Sequence, residues 1–222
     1  MTYSPFTTWM LENGISQQTL QLLVSITVIA TIVSIFRYII GTKSYGIYAP
    51  IILAISYSYT GLRYGLAITF ITVATTLLSY TMLKKIRMHY ITRIAINYCL
   101  LAMTIIIFIM TINKYGLGLE KVSLISPLAL ISITALSDFF IKQFTQKSLK
   151  VSISLLLETV LIATIGWYII TRVSISNYMI NNLWIIPILI IINLVIGQFK
   201  GLRIKEIIRF KSLSDEKENV SK

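Results

Sequence analysis

The sequence predicts an all-α, polytopic integral membrane protein with seven transmembrane helices. Composition, the spacing of apolar runs and the placement of cationic residues lead to it. Of 222 residues, 56% are hydrophobic and only 13% charged, and the mean hydropathy is +0.80. Soluble chains carry roughly a quarter charged residues, and a helical span takes roughly 20 residues, so the length holds about seven spans with short loops. Little is left for a water-soluble catalytic domain.

The first run, 20 to 40, reads LQLLVSITVIATIVSIF with no charge before Arg37. That is long enough to cross a hydrocarbon core of about 30 Å at 1.5 Å per residue. No Lys or Arg precedes it, so it lacks the basic region of a secretory signal. Six further runs follow at 46 to 60, 62 to 83, 92 to 112, 124 to 141, 151 to 171 and 183 to 199, the second and fifth being short. Pro50, Pro127 and Pro187 fall near the starts of runs two, five and seven, where a missing N–H costs little. These runs define a short extracytoplasmic segment at 1–18 and a membrane domain at 19–199. A basic amphipathic juxtamembrane helix at 200–213 and a disordered tail at 214–222 complete the expected organisation.

Loop charges predict orientation. With sides alternating, sixteen of the 20 Lys and Arg fall on one side, including Arg37, Lys84, Lys85, Arg87, Arg93 and the residues after 199. Arg63, Lys114, Lys121 and Arg172 fall on the other. Cytoplasmic loops collect Lys and Arg, which places the N-terminus outside and the C-terminus in the cytoplasm. Trp9, Trp167, Tyr168 and Trp184 lie near the outer boundary, where amphipathic rings favour the headgroup level. The net charge of +12 therefore expresses topology and attraction to anionic lipid, and no soluble module is left to present a basic groove to nucleic acid. In GLRIKEIIRFKSL, Arg203 and Arg209 interleave with Leu202, Ile207, Ile208 and Phe210 as in an interfacial helix, which fixes the last span or docks a cytoplasmic partner.

Motifs for enzymatic chemistry are missing. One Cys, Cys99, and one His, His89, allow neither an internal disulfide nor an HExxH zinc site. No Ser and His pair sits on separate spans, and span seven has no Lys for a retinal Schiff base. The chain is expected to be neither an enzyme nor a cofactor carrier.

Polar residues inside spans carry more. A carboxylate at mid-membrane costs about 2.5 to 3.5 kcal/mol, so it pairs, faces the bundle interior or marks a pathway. Asp138 closes run five with Lys142 at i+4 on the same helix face. Glu158 lies roughly 10 Å inside run six, with no cation one turn away. Arg37 has a depth similar to Asp138, so Arg37, Asp138 and Glu158 form a candidate intramembrane cluster. Asn97 and Asn193 are candidates for interhelical hydrogen bonds. GIYAPIILA at 46 to 54 and SLISPLALI at 123 to 131 align proline on proline, which allows an inverted repeat of three-helix units, 20 to 83 and 92 to 171, plus one helix.

The stretch from Ile15 to Ile68 resembles the start of the bacterial seven-helix membrane domain usually fused to an inactive transglutaminase-like domain. The pattern falls on Arg37 and Gly41 closing the first span, Gly46 and Pro50 opening the second, Thr60 and Gly61 at the turn, and Gly65 and Leu66 opening the third. Arg93, Pro127, Asp138, Glu158, Thr159 and the basic tail are similar in kind and order, so the resemblance runs from about 15 to 213. The fused transglutaminase-like domain has no counterpart in the roughly eighteen residues before the first span, so no function resting on that domain is carried over to this chain. More distantly, the Gly46 and Pro50 helix opening and the basic third loop are similar to the small CapC-type membrane subunit of poly-γ-glutamate synthase.

Both resemblances imply a non-enzymatic membrane partner of an ATP-dependent glutamate or peptide ligase, in the cytoplasmic membrane of a bacterium. Lys84, Lys85, Arg87, Arg203 and Arg209 would then face the ligase and its anionic product, alongside other membrane or extracytoplasmic subunits. A self-contained transporter of a small solute or ion, with Glu158 as the coupling residue, is the competing expectation. A membrane scaffold or sensor is the third.

Overall fold

The computed structural model describes residues 4–115, 126–146, 149–198, 201 and 204. The basic tail with Arg203 and Arg209, and the segment expected to be disordered, lie outside the described residues. Every regular element among the described residues is helical. In chain order these are α1 (Pro5–Glu12), α2 (Gln17–Ile35), a π-helical turn (Phe36–Ile40), α3 (Tyr48–Thr60), α4 (Leu62–Leu83), α5 (Tyr90–Tyr115), α6 (Pro127–Gln146), α7 (Leu149–Thr171), α8 (Val173–Asn181) and α9 (Ile185–Gly197).

Local chemistry sets these boundaries. Ser4 and Ser16 cap α1 and α2, their hydroxyls accepting from the backbone N–H of Thr7 at 3.3 Å and of Thr19 at 3.1 Å. Pro5 and Pro127 each take the first position of a helix, and Pro50 and Pro187 fall in the first turns of α3 and α9. Gly61 adopts φ +79° between α3 and α4, a left-handed conformation that a side chain would strain.

Each of the seven apolar runs holds one helix. The spans Gln17–Ile40, Leu62–Leu83, Tyr90–Ile112, Pro127–Phe144 and Leu149–Thr171 are long and apolar enough to cross a membrane. A sixth forms if α8 and α9, which meet at 98°, act as one broken span. α3 and α9 have 13 residues each and rise only about 20 Å, short of a full hydrocarbon core. The short helices α1 and α8 flank these runs, and the sequence pattern had not separated them from the loops.

The chain divides into two compact units, Met1–Ile51 with Leu161–Lys222, and Ile52–Val160. The boundaries fall inside α3 and α7, at other points than the proposed inverted repeat. In the first unit α2 packs against α8 and α9. Thr7 Oγ1 donates to the Ile180 carbonyl at 2.9 Å, tying α1 to α8, and Asn193 Nδ2 donates to Thr31 Oγ1 at 2.8 Å, tying α9 to α2. In the second unit α4 packs against both α5 and α6. There the fully buried Tyr57 ring lies on Gly65, and its hydroxyl shares a 2.9 Å hydrogen bond with Thr69 Oγ1. A Cβ at Gly65 would lie 2.9 Å from Tyr57 Cε1 and 3.0 Å from Thr60 Oγ1, so the α3–α4 hairpin closes only on glycine.

Candidate intramembrane polar site

The interior of the second unit is polar in a way that lipid-facing helices are not. The buried face of α4 carries Gly65, Ile68, Thr69, Thr72, Thr75, Thr76, Ser79 and Leu83, a hydroxyl stripe at helical spacing. Thr69 and Thr76 donate to the Gly65 and Thr72 carbonyls at 2.7 and 2.6 Å, the usual return of a threonine hydroxyl to its own helix. Thr72 makes no such bond: its residue is fully buried and its Oγ1 has no hydrogen-bond partner.

Two aromatic contacts fix the register of the three helices. The Arg93 guanidinium of α5 sits 5.8 Å above the Tyr80 ring of α4, and that ring meets Phe144 of α6 edge-on at 4.7 Å. One turn further into the bundle, about 6 Å, come Thr76, Asn97 and Phe140. At nearly the same depth the Tyr98 hydroxyl donates to Asp138 Oδ2 at 2.9 Å. Ser137 also lies beside the Tyr98 hydroxyl, yet its own Oγ closes no hydrogen bond.

The unsatisfied atoms concentrate here. Among the described residues nine buried side-chain polar atoms lack a hydrogen-bond partner. Seven belong to α4, α5 and α6: Thr72 Oγ1, Arg93 Nε, both amide atoms of Asn97, Ser137 Oγ, Asp138 Oδ1 and Gln143 Oε1. Asn97 is 1% exposed and Ser137 0%. An unpaired buried polar group costs roughly 1 to 3 kcal/mol, so its presence in a native interior calls for a role.

The residues singled out from sequence take different positions. Asp138 lies in this band, and the hydrogen bond shown for it comes from Tyr98 on another helix. Asn193 makes the expected interhelical bond, whereas Asn97 makes none. Arg37 is exposed on the π-helical turn of the first unit, while Asp138 and Glu158 belong to the second; their proposed cluster is a feature of neither unit by itself. Gly46 has φ +71° in the turn before α3, and Gly61 and Gly65 shape the hairpin, so the Gly46, Pro50, Gly61 and Gly65 motif is structural in its local effect. Lys84, Lys85 and Arg87 are exposed between α4 and α5, whereas Arg93 is partly buried on Tyr80. Tyr98, Thr72, Ser137 and Gln143 were not singled out from sequence; the Thr69, Thr72, Thr76 and Ser79 spacing on α4 was the available signal.

Beside this band, α4 and α7 enclose an apolar groove of about 510 Å³ lined by Leu66, Phe70, Leu77, Ile153 and Leu157 among others. Its chemistry is that of hydrocarbon. Lipid-exposed apolar faces around a polar interior define a multi-pass membrane protein. Over residues 6–214 the chain matches the family of seven transmembrane helices usually fused to an inactive transglutaminase, and it belongs to that family. No curated protein and no solved structure matches it.

Proposed function

We propose that this protein is a non-enzymatic membrane subunit that anchors a cytoplasmic ATP-dependent glutamate or peptide ligase, of the ATP-grasp or poly-γ-glutamate synthase type, at a bacterial inner membrane. It passes the ligase product toward the other face. The observation that carries this reading is the exposed cationic turn Lys84, Lys85 and Arg87, which two long apolar helices present at one end of the unit. A basic edge suits an acidic partner and its anionic product, and attraction at such a rim sets encounter rate and orientation. Family membership supports a working unit assembled from a membrane domain and further parts, since the usual fusion partner is a transglutaminase without activity.

The test is co-purification of an ATP-grasp or Mur-type ligase with the tagged protein. Replacing Lys84, Lys85 and Arg87 together by Ala is expected to abolish capture while leaving membrane insertion intact. Undiminished capture would remove the docking role. The orphaned polar atoms around Asp138 favour a second reading, a transporter that works alone. Solute or ion flux in liposomes holding only this protein decides for it.

A further inference from the structure

We infer that the α4–α5–α6 interior is a hydrated path that carries protons between the Lys84–His89 turn and the Asp138 carboxylate. Such a path belongs to the bundle alone and does not depend on a docked ligase.

The orphaned atoms form a file. Arg93 lies in the first turn of α5, Tyr80 in the last turn of α4 and Gln143 in the last turn of α6, all at the end where the Lys84–His89 turn joins α4 to α5. Asn97, Ser137 and Asp138 lie about 6 to 9 Å deeper, and Thr72 lies about 12 Å from Tyr80 along α4. Donors and acceptors alternate in kind: Arg93 Nε and Asn97 Nδ2 donate; Asn97 Oδ1, Gln143 Oε1 and Asp138 Oδ1 accept; the two hydroxyls do either. Water is the partner that satisfies both kinds, and a buried water typically makes about three such bonds. The faces that carry these atoms turn toward one another, because α5 buries Asn97, Leu101 and Ile105 in one stripe and α4 packs on both neighbours.

Asp138 is the terminus because it is the one carboxylate in the file, and so the one group there that takes up a proton to become neutral. Tyr98 occupies Oδ2, leaving Oδ1 as the acceptor. A proton arriving through water forms the O–H bond at Oδ1 and turns the carboxylate into a neutral acid. Tyr98 keeps its own proton and its bond to Oδ2. The new O–H is a donor in a band that holds the unpaired Ser137 Oγ and Asn97 Oδ1. The titratable and charged groups on faces turned toward α6 are Tyr80 from α4 and Arg93 and Tyr98 from α5, and Lys142 stands one turn along α6. Arg93 at the mouth opposes entry of a metal cation, and no group of three metal-ligating side chains occurs among the described residues. A proton relayed by water meets neither obstacle.

Two measurements on the full-length protein in nanodiscs test this. In a Cys99→Ser background, Asn97→Cys and Ser137→Cys are treated with a small water-soluble thiol reagent, with native Cys99, exposed on the outer face of α5, as the lipid-facing reference. Both new thiols are expected to react on the order of tenfold faster than Cys99, because thiolate forms in water and not in hydrocarbon. If one variant does not insert, the other and Thr72→Cys carry the measurement. Infrared titration of the Cys99→Ser protein should then show a carboxylic-acid band that grows as pH falls and is lost in Asp138→Asn but kept in Glu158→Gln. Thiols as inert as Cys99 overturn the water path. Reactive thiols with no Asp138-dependent band overturn the proton assignment.

Discussion

The Tyr98 hydroxyl on α5 donates to Asp138 Oδ2 on α6 at 2.9 Å, so the acidic residue that closes one span is held from another helix. Tyr98→Phe keeps the ring and removes this bond. Interhelical hydrogen bonds in membranes average about 0.6 kcal/mol and reach about 1.7. Denaturant unfolding of Tyr98→Phe in micelles should show a loss within that range with unchanged helix content. A loss below a tenth of it would mean that Asp138 does not depend on Tyr98.

Gly65→Ala should be among the most damaging single-methyl changes in the second unit. The new Cβ meets the buried Tyr57 ring, and overpacking of this kind costs about 1 to 3 kcal/mol. Tyr57→Leu should partly rescue it, and a double-mutant cycle of thermal unfolding midpoints reads the coupling directly.

Asn97 and Asn193 should answer the same substitution to different degrees. Asn193→Leu loses the 2.8 Å bond to Thr31 and leaves that hydroxyl with one partner fewer, at a cost of about 0.6 kcal/mol. Asn97→Leu breaks no hydrogen bond to another side chain, only contacts with the water of the path, and should cost less than Asn193→Leu. Side-by-side unfolding curves give the comparison, and equal losses in both would mean that Asn97 is held by another side chain.

Sidedness gives a separate expectation. In a Cys99→Ser background, Lys85→Cys should be labelled by an impermeant maleimide only after the cytoplasmic face is opened. Arg172→Cys should react from the outside in intact cells. Reaction of both from one compartment would overturn the alternation of sides, and the exchanged pattern would reverse the orientation drawn from the loop charges.

The helices were legible because burial in lipid writes itself as long uncharged runs: Gln17–Ile40 and Leu62–Leu83 emerge within a few residues of where hydropathy places them. Their starts were legible too, since Pro50, Pro127 and Pro187 occur where a helix N-terminus tolerates them. α1 and α8 were not, because eight or nine residues give too few turns for a periodic signal. At the site, Asp138 and Asn97 stood out as polar residues in apolar runs. Their surroundings did not, since which hydroxyls gather around a carboxylate depends on how three helices rotate against one another. Thr72 and Thr76 look alike in the sequence; only packing shows that one returns its hydroxyl to the backbone and the other does not.

The bond from Thr7 to the Ile180 carbonyl joins positions 173 residues apart, and the first unit is assembled from the two flanks of the second. During synthesis at about 5 to 20 residues per second, α1 emerges roughly 9 to 35 seconds before its partner strand of chain exists. Ile52–Val160 therefore has time to settle in the bilayer as an insert while α1 waits undocked. A ribosome stall or truncation before residue 180 should leave that early helix protease-sensitive beside an already protected middle, making biogenesis itself a readout of the discontinuous architecture.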